Sequence, residues 1–302
     1  MWRRHSLAKG LLLAVLSLAV SCKTSDDAIA LAAQMTAAAN SLCDYYAALA
    51  QIVDNHAKLE RLQNATTGVP FEQQDMAQLQ SVQSDLQKRA DMARALANLA
   101  AAFTGLSGST APTDVSNSAA NLGNELATIP KLPGSSFVPT ALQDAGKILT
   151  QFAQERDERK MAKSIEPTMT ALSQMFSQEK PAYESIDRTY IGLAQSIALD
   201  MVTHNQVDPA SLMAPALQPF GLDSRIPGEQ LSPGLADYAR EQIKNRSAAD
   251  IAAHAQASDS MDAALQELSK RSHQLATDGH MPERGFPFKL SDVATWIKLI
   301  AQ

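Results

Sequence analysis

The sequence predicts an all-α fold, an elongated and mainly antiparallel helical bundle with coiled-coil-like seams and a proline-rich wrapped segment. Three observations support this prediction. Apolar residues recur at steps of three and four over long stretches, which places them on one helix face. Val, Ile and Thr nowhere form an alternating run, so no strand is predicted. Aromatic residues make up only 5% of the chain while alanine is abundant, and small side chains let neighbouring helices approach closely.

Two long helices open the predicted bundle. The first is predicted over about residues 26–64, where neither proline nor glycine interrupts the pattern, and Gly68 and Pro70 then break it. The second is predicted over about residues 71–104. Because the break is short, the two helices are expected to form an antiparallel hairpin. The seam residues are Leu31, Met35, Ala38, Leu42, Tyr45, Leu49, Ile52, His56 and Leu59 in the first helix, and Leu79, Val82, Leu86, Ala93, Leu96, Ala100 and Phe103 in the second.

The middle of the chain combines a short helix with a long one. The short, polar helix is predicted over about residues 112–128, since proline is well tolerated at the first helical position. A linker follows over residues 130–139. Thr140 and Gln143 then have the spacing of a capping box and open a helix that runs to about residue 178.

Two prolines punctuate the next part. Pro167 is predicted to kink the long helix. Pro181 is predicted to mark either a second kink or a boundary, before a helix over about residues 182–204.

The C-terminal part is predicted to contain three helices. One spans about residues 235–245, and Ser247 with Asp250 is predicted to cap a second that runs to about residue 277. Ser291 is predicted to cap a final short helix with one apolar face, which could dock on the bundle, contact a membrane surface or meet a partner. That face consists of Val293, Trp296, Ile297 and Ile300.

These elements divide the chain into four parts: residues 1–21 as a signal peptide, 22–204 as a long-helix bundle, 205–234 as a proline-rich crossover, and 235–302 as C-terminal helices that pack on the bundle. Five prolines exclude a long helix from the crossover, yet its apolar residues are too many for a free linker. We expect a wrapped segment with a short helical turn. It is either a structural crossover or a binding surface.

The N-terminus has the pattern of an exported precursor. Residues 1–9 are basic, and Leu11–Val20 is an apolar run of ten residues, too short for a membrane span of roughly 20 apolar residues. Small residues, Ala19 and Ser21, precede Cys22, and a polar stretch follows. The sequence therefore predicts cleavage and export.

The residues before Cys22 resemble the lipobox of bacterial lipoprotein precursors, although Ala19 stands where that family usually has leucine. The resemblance covers residues 1–23. It implies that the sulfur of Cys22 receives a diacylglycerol, that the chain is cut before Cys22, and that the new amine is acylated. Because Lys23 and not aspartate follows, it also implies an anchor in the outer membrane that faces the periplasm.

Two other readings of the leader stay open. Ala19-Val20-Ser21 also fits an ordinary small-x-small cleavage site, after which Cys22 would be free to pair with Cys43. The leader could also remain as an uncleaved anchor. If Cys22 is lipidated, Cys43 has no partner in the chain, and its place on an apolar helical stripe favours a buried, inert thiol over a reactive one.

The net charge of the chain argues against two kinds of partner, nucleic acids and anionic lipid surfaces. Removing residues 1–21 takes away Arg3, Arg4 and Lys9 and no acid, so 23 basic residues stand against 32 acidic ones and the formal charge is −9. A nucleic-acid-binding role would need a basic footprint. Electrostatic docking onto anionic lipid is disfavoured for the same reason, so a membrane attachment is expected to be covalent.

No catalytic, metal-binding or cofactor-binding motif is present in the sequence, so none is assigned. No histidine has glutamate three residues before it, and neither His-Glu-x-x-His nor Cys-x-x-Cys-His occurs. His56 and Glu60 lie one turn apart and could begin a metal site, although a hydrogen-bonded core histidine is the simpler interpretation. Ser177 and Lys180 match Ser-x-x-Lys without its companion motifs. The sequence leaves open whether the protein is an enzyme.

Two functions are expected from these observations. The first is a non-catalytic adaptor, scaffold or inhibitor, anchored by lipid, that binds another envelope protein. The second is a bundle that binds a small ligand or metal in an interhelical pocket. Such a bundle could act as a binding protein or as an enzyme. That pocket would gather His56, Tyr45 and Tyr46 with His254 or His273.

Overall fold

The computed structural model describes residues 4–67, 73–104, 111–155, 158–204, 206–209, 212, 217, 232–278 and 290–300. Within these ranges, the side chains of residues 4–25, 66, 67, 73–75, 111, 112 and 158–162 lie outside the description. The described residues form seven α-helices and no strand, which confirms the all-α prediction. The helices are α1 (Arg4–Thr67), α2 (Gln73–Thr104), α3 (Ala111–Thr128), α4 (Thr140–Glu155), α5 (Glu158–Thr203), α6 (Pro233–Asp278) and α7 (Ser291–Ile300).

The four long helices α1, α2, α5 and α6 run mainly antiparallel. In the α1–α2 hairpin, Arg94 contacts Cys43 while Arg61 contacts Met76, so the two sequences run in opposite directions. The same holds for α5 and α6, because Thr170 pairs with Ser269 and, further along α5, Asp187 faces His254. The short helices α3 and α4 contact each other, and they also pack on α2 and α5 respectively.

The core follows the predicted seams. The apolar seam residues of α1 and α2 are buried from Leu31 to Ile52 and from Leu86 to Ala100, and α5 and α6 add a matching set. The final helix α7 docks on the bundle, because Val293 and Trp296 are both only 1% exposed. Docking was one of the three outcomes that the sequence left open for this helix.

The helix α5 corrects the predicted boundaries. The stretch that was predicted as one helix from Thr140 to about residue 178 is two helices, because α4 ends at Glu155 and α5 begins at Glu158. The helix α5 then continues through both Pro167 and Pro181. A proline inside a helix costs about 3 kcal/mol. Between the two prolines, however, four large apolar side chains are completely buried, each stabilising by about 1.5–3 kcal/mol. They are Met169, Leu172, Met175 and Phe176.

The helix α6 corrects a second prediction. The sequence predicted two helices, over residues 235–245 and 247–277, with Ser247 as the cap of the second. The structure has one continuous helix, and Ser247 lies buried inside it. Its hydroxyl donates to the carbonyl oxygen of Ile243 at 3.0 Å, one turn back, so it is satisfied without ending the helix.

Two further predictions concern the N-terminal leader and the proline-rich crossover. The backbone of α1 begins at Arg4 and not near residue 26, because the leucines and alanines of the leader favour helix and no proline stops it. In the described part of the chain, no helix combines the length and apolarity needed to cross a membrane. Most of the predicted crossover, including residues 213–216 and 218–231, lies outside the described residues.

The helices α3 and α4 approach so closely that only glycine fits at their contact. A Cβ atom built on Gly146 would lie 2.5 Å from the carbonyl oxygen of Gly123 and 2.8 Å from the amide nitrogen of Ala127. Both neighbours are backbone atoms, so no side chain can rotate away. The pair Gly123 and Gly146 therefore sets the distance between these helices.

We expect Gly146→Ala to lower the free energy of unfolding by about 1–3 kcal/mol, the usual cost of overpacking a tight contact. Gly192→Ala is the matched control, because it lies inside α5 with nothing within 4 Å of the new methyl group. There the substitution should stabilise the helix by about 1 kcal/mol. Urea unfolding of both variants checks the prediction, and a Gly146→Ala protein as stable as the unmodified chain would contradict it.

Candidate functional site

Five aromatic side chains of this protein gather in the middle of the bundle. Tyr45 stands at the centre, with its ring centroid 5.0 Å from Trp296, 5.5 Å from Phe176 and 5.9 Å from Tyr183. These rings come from α1, α5 and α7. We call Tyr45, Tyr46, Phe176, Tyr183 and Trp296 the aromatic cluster; each is at most 1% exposed.

A chain of polar groups crosses this cluster. Nδ1 of His254 lies 3.3 Å from Oδ2 of Asp187, and Nε2 lies 3.0 Å from the Tyr45 hydroxyl. The Tyr45 hydroxyl is in turn 2.8 Å from Oγ of Ser258, which is also 3.4 Å from Nε2 of His254. We call Asp187, His254, Tyr45 and Ser258 the His254 cluster. Burial raises the pKa of Tyr45 well above its usual value, so its hydroxyl stays protonated.

The order carboxylate, imidazole, hydroxyl is also the order of a catalytic triad. Catalysis, however, needs a place for a reacting atom within about 3 Å of the nucleophile. Ser258 and Tyr45 are 0% exposed and His254 is 1% exposed, so their polar atoms are enclosed by protein. In this arrangement the groups satisfy one another's hydrogen bonds inside the core.

A buried ion pair lies beside the aromatic cluster. Arg89 donates from Nε and Nη2 to the two carboxylate oxygens of Glu179, at 2.8 and 2.6 Å, and both side chains are fully buried. Arg89 also donates to the carbonyl oxygens of Asp85 and Pro130, each at 2.9 Å. The pair therefore ties α2, α5 and the loop after α3 together.

The surroundings of this pair keep the Arg89 guanidinium charged. The hydroxyl of Tyr183 donates to Glu179, which gives the carboxylate another partner. Burial is the largest single effect and would lower the pKa of Arg89, but the hydrogen bonds to Glu179 and the electrostatic effects of Glu179, Tyr183 and Tyr46 together outweigh it, and the pKa is raised. A guanidinium that is charged and fully hydrogen-bonded fixes three segments at defined distances.

The structure brings together only some of the residues that the second expected function would gather. Tyr45, Tyr46 and His254 meet in the core. His56 lies elsewhere on α1, where its Nε2 is 2.9 Å from Oε1 of Glu60. His273 is exposed, and its Nδ1 is 3.2 Å from Oε1 of Glu166. In the part of the chain that the structure describes, no group of three or more histidine, cysteine, aspartate or glutamate side chains could hold a metal ion.

Two further predicted sites can be placed. Ser177 and Lys180 do not act on each other: Oγ of Ser177 donates to Oδ1 of Asp262 at 2.5 Å, and Lys180 pairs with Asp259. Both contacts join α5 to α6. Cys43 is half-buried and not fully buried as predicted, and burial raises the pKa of its thiol, which favours the unreactive protonated form. The side chain of Cys22 lies outside the described residues.

Sequence reasoning missed Arg89, Glu179, Asp187 and Ser258. For the ion pair a signal existed. Arg89 lies three residues after the buried Leu86, and Glu179 lies three residues after the buried Phe176, so both charges stand on apolar faces. A charged residue on such a face is rarely buried without a partner.

Two cavities open beside these clusters. The first, of about 390 Å³, lies between α5, α6 and α7, and Asp187 and Trp296 form part of its wall. The second, of about 480 Å³, lies between α1, α2, α5 and the loop after α3, and includes His56, Pro133 and Pro181. Its wall is mainly apolar.

The chain matches no protein-family model, no curated protein and no solved structure.

Proposed function

We propose that this protein is a lipoprotein of the bacterial cell envelope. It is anchored through Cys22 to the outer membrane, and its helical part faces the periplasm. Its helical bundle acts as a non-catalytic adaptor, scaffold or inhibitor that binds another envelope protein. The leader sequence supports the anchor. The observation that carries the non-catalytic role is the complete burial of Ser258 and Tyr45, the nucleophile candidates beside His254.

The interior of the bundle supports a binding role. Hydrogen-bonded contacts between remote segments, such as Arg89 with Glu179 and Tyr45 with His254, hold the helices in one arrangement. A rigid surface loses little entropy when a partner binds, which favours affinity. Six large apolar side chains are exposed on the part of the surface that the structure describes. They are Ile29, Leu62, Val138, Ile148, Val207 and Leu235.

The anchor predicts a specific chemical change at one residue. In a bacterium with the lipoprotein pathway, we expect mass spectrometry to find a mature N-terminus at Cys22 that carries a diacylglycerol and an amide-linked acyl chain. Cys22→Ala should lack these lipids and no longer partition into detergent, because the acyl chains supply the membrane affinity, about 0.8 kcal/mol per buried methylene. Cys43→Ala is the matched control and should stay lipidated. An unmodified, freely diffusing wild-type chain would contradict the anchor.

The adaptor role is tested by crosslinking in the intact envelope. A photoreactive amino acid placed at exposed positions, such as Ile29, Ile148 or Val207, should join the protein to one envelope protein in a pattern that depends on the position. At exposed positions that do not face the partner, the same amino acid should give no crosslinked product. If no position yields a protein adduct while a small molecule binds the folded chain tightly, the adaptor role is wrong.

The second candidate, a small-ligand site between helices, is favoured by one observation. The cavity between α5, α6 and α7 brings the buried carboxylate of Asp187 next to Tyr190, Asp250 and the ring of Trp296. An apolar pocket with a few convergent polar groups is the usual form of a small-molecule site.

A further inference from the structure

The cavity between α5, α6 and α7 has the size of a small-molecule site. Its volume is about 390 Å³, and such sites span roughly 300–1,000 Å³. The described stretch after α5 lines one end through Val207, Pro209 and Leu212. The amide of Leu212 donates to the carbonyl oxygen of Pro209 at 2.9 Å, so a turn shapes that end.

One wall of the cavity is a continuous apolar strip. Ala194, Ala198 and Val202 come from successive turns of α5, and Ile243 and Leu299 add apolar surface from α6 and α7. Steps of four place the α5 residues on one helix face. At 1.5 Å per residue, the strip is about 12 Å long, enough for the hydrocarbon part of a small ligand.

The other end of the cavity is polar and aromatic. Asp187 is 2% exposed, and its carboxylate is held by His254 at 3.3 Å. Asp250, Tyr190 and Trp296 line the same end. Burial raises the pKa of Asp250, the nearby Arg246 lowers it, and the negative charge of Asp187 raises it again. The two carboxylates thus lie close enough to repel each other.

The balance of charge favours a positive ligand. Among the described residues that line the polar end of this cavity, Asp187 and Asp250 stand against one cationic side chain, Arg246. Arg246 is exposed, whereas Asp187 is buried. A cation between Asp187 and Asp250 would offset their repulsion, and aromatic rings at the same end attract cations further.

We propose that this cavity binds a small organic ammonium ion with an apolar body. The charged nitrogen lies between Asp187 and Asp250, and the hydrocarbon part packs along Ala194 and Ala198. This inference depends neither on the lipid at Cys22 nor on a protein partner. The adaptor role can therefore be wrong while the ligand site is right, and the reverse.

Trp296 provides a direct probe, because the chain has two tryptophans and the other is Trp2. In the full chain with Trp2→Phe, all tryptophan fluorescence arises from the cavity wall. We would titrate this protein with 2-phenylethylamine, which is cationic at neutral pH, and with two molecules of similar shape, neutral 2-phenylethanol and anionic phenylacetate. The amine is expected to change the fluorescence saturably and to bind at least tenfold more tightly than either analogue.

Asp250 is the residue to vary, because it is only half-buried and its replacement leaves the His254 cluster in place. Asp250→Asn is expected to weaken binding of the amine at least tenfold with an unchanged thermal midpoint. Asp237→Asn is the matched control: it lies on the same helix, is exposed, and does not line the cavity. It should bind the amine like the parent chain.

Three results would overturn the proposal. One is a set of titrations in which none of the three molecules changes the fluorescence saturably. Another is equal binding of the amine and the alcohol. The third is an Asp250→Asn variant, folded by its thermal midpoint, that binds the amine as tightly as the Asp237→Asn control.

Discussion

Replacing Glu179 with leucine is expected to lower the free energy of unfolding by about 3–5 kcal/mol, the cost of removing one partner of a buried ion pair. The substitution leaves Arg89 charged and 0% exposed, with its Nε group and one Nη2 bond without an acceptor. It also removes the carboxylate to which the Tyr183 hydroxyl donates. The midpoint of urea unfolding, at an unchanged slope, measures the loss.

The double variant Arg89→Met with Glu179→Leu shows how much of that loss comes from the stranded charge. Removing both ions abolishes the uncompensated guanidinium, so the double variant is expected to be more stable than Glu179→Leu alone. Asp91→Asn is a surface control, because Asp91 pairs with Arg94 while 39% of its side chain is exposed. It should cost less than about 1 kcal/mol. If the double variant is no more stable than Glu179→Leu alone, the stranded charge of Arg89 is not the cause of the loss.

The elements that the sequence predicted well are those with a local cause. The predicted boundaries of α2 and α3 lie within two residues of the observed ones, and α7 begins at the predicted Ser291, because glycine, proline or a polar break marks these ends. Every predicted seam residue of α1 from Leu31 to Ile52 is buried, since a step of three and four identifies a buried face without knowledge of what covers it. The last two predicted seam residues, His56 and Leu59, are only partly buried.

The errors arose where tertiary burial outweighed a local signal. Pro181 was predicted as a kink or a boundary, and the boundary is wrong: α5 continues through Pro181, because Phe176 and Tyr183 on either side are fully buried. Ser247 and Asp250 have the spacing of a capping box, but α6 continues because Ser247 bonds back to Ile243. At both Pro181 and Ser247, keeping the helix unbroken costs less free energy than the burial of apolar surface by the continuous helix provides.

The site was only partly predictable for a different reason. Helical periodicity gives the face on which a residue lies but not the helix that it meets. Tyr45 and His254 are 209 positions apart, and no local pattern indicates that they share a hydrogen bond. Asp187 gave no signal in its own stretch of sequence. Its role depends on the antiparallel pairing of α5 with α6, which the sequence pattern leaves undetermined.

Trp296→Ala is expected to release α7 from the bundle and to cost about 3–5 kcal/mol, the usual loss for a large aromatic side chain. The helix has ten residues, too few to be stable by itself in water, where about 12–15 are needed. Its attachment therefore depends on packing. Trp296 is the largest fully buried side chain of α7, with its ring centroid 5.0 Å from Tyr45 and 4.4 Å from His254.

Hydrogen exchange distinguishes detachment of α7 from loss of the whole fold. In Trp296→Ala the amides of α7 should exchange much faster, while those around Arg89 keep their protection, because local opening needs less free energy than global unfolding. Thr295→Ala is the neighbouring control: its side chain is exposed, and alanine favours helix, so α7 should stay protected. One contact that remains, a hydrogen bond at 2.8 Å from Ser260 to Asp292, contributes about 1 kcal/mol. If α7 keeps its protection in Trp296→Ala, that hydrogen bond and Val293 must hold the helix, and the central place of Trp296 is wrong.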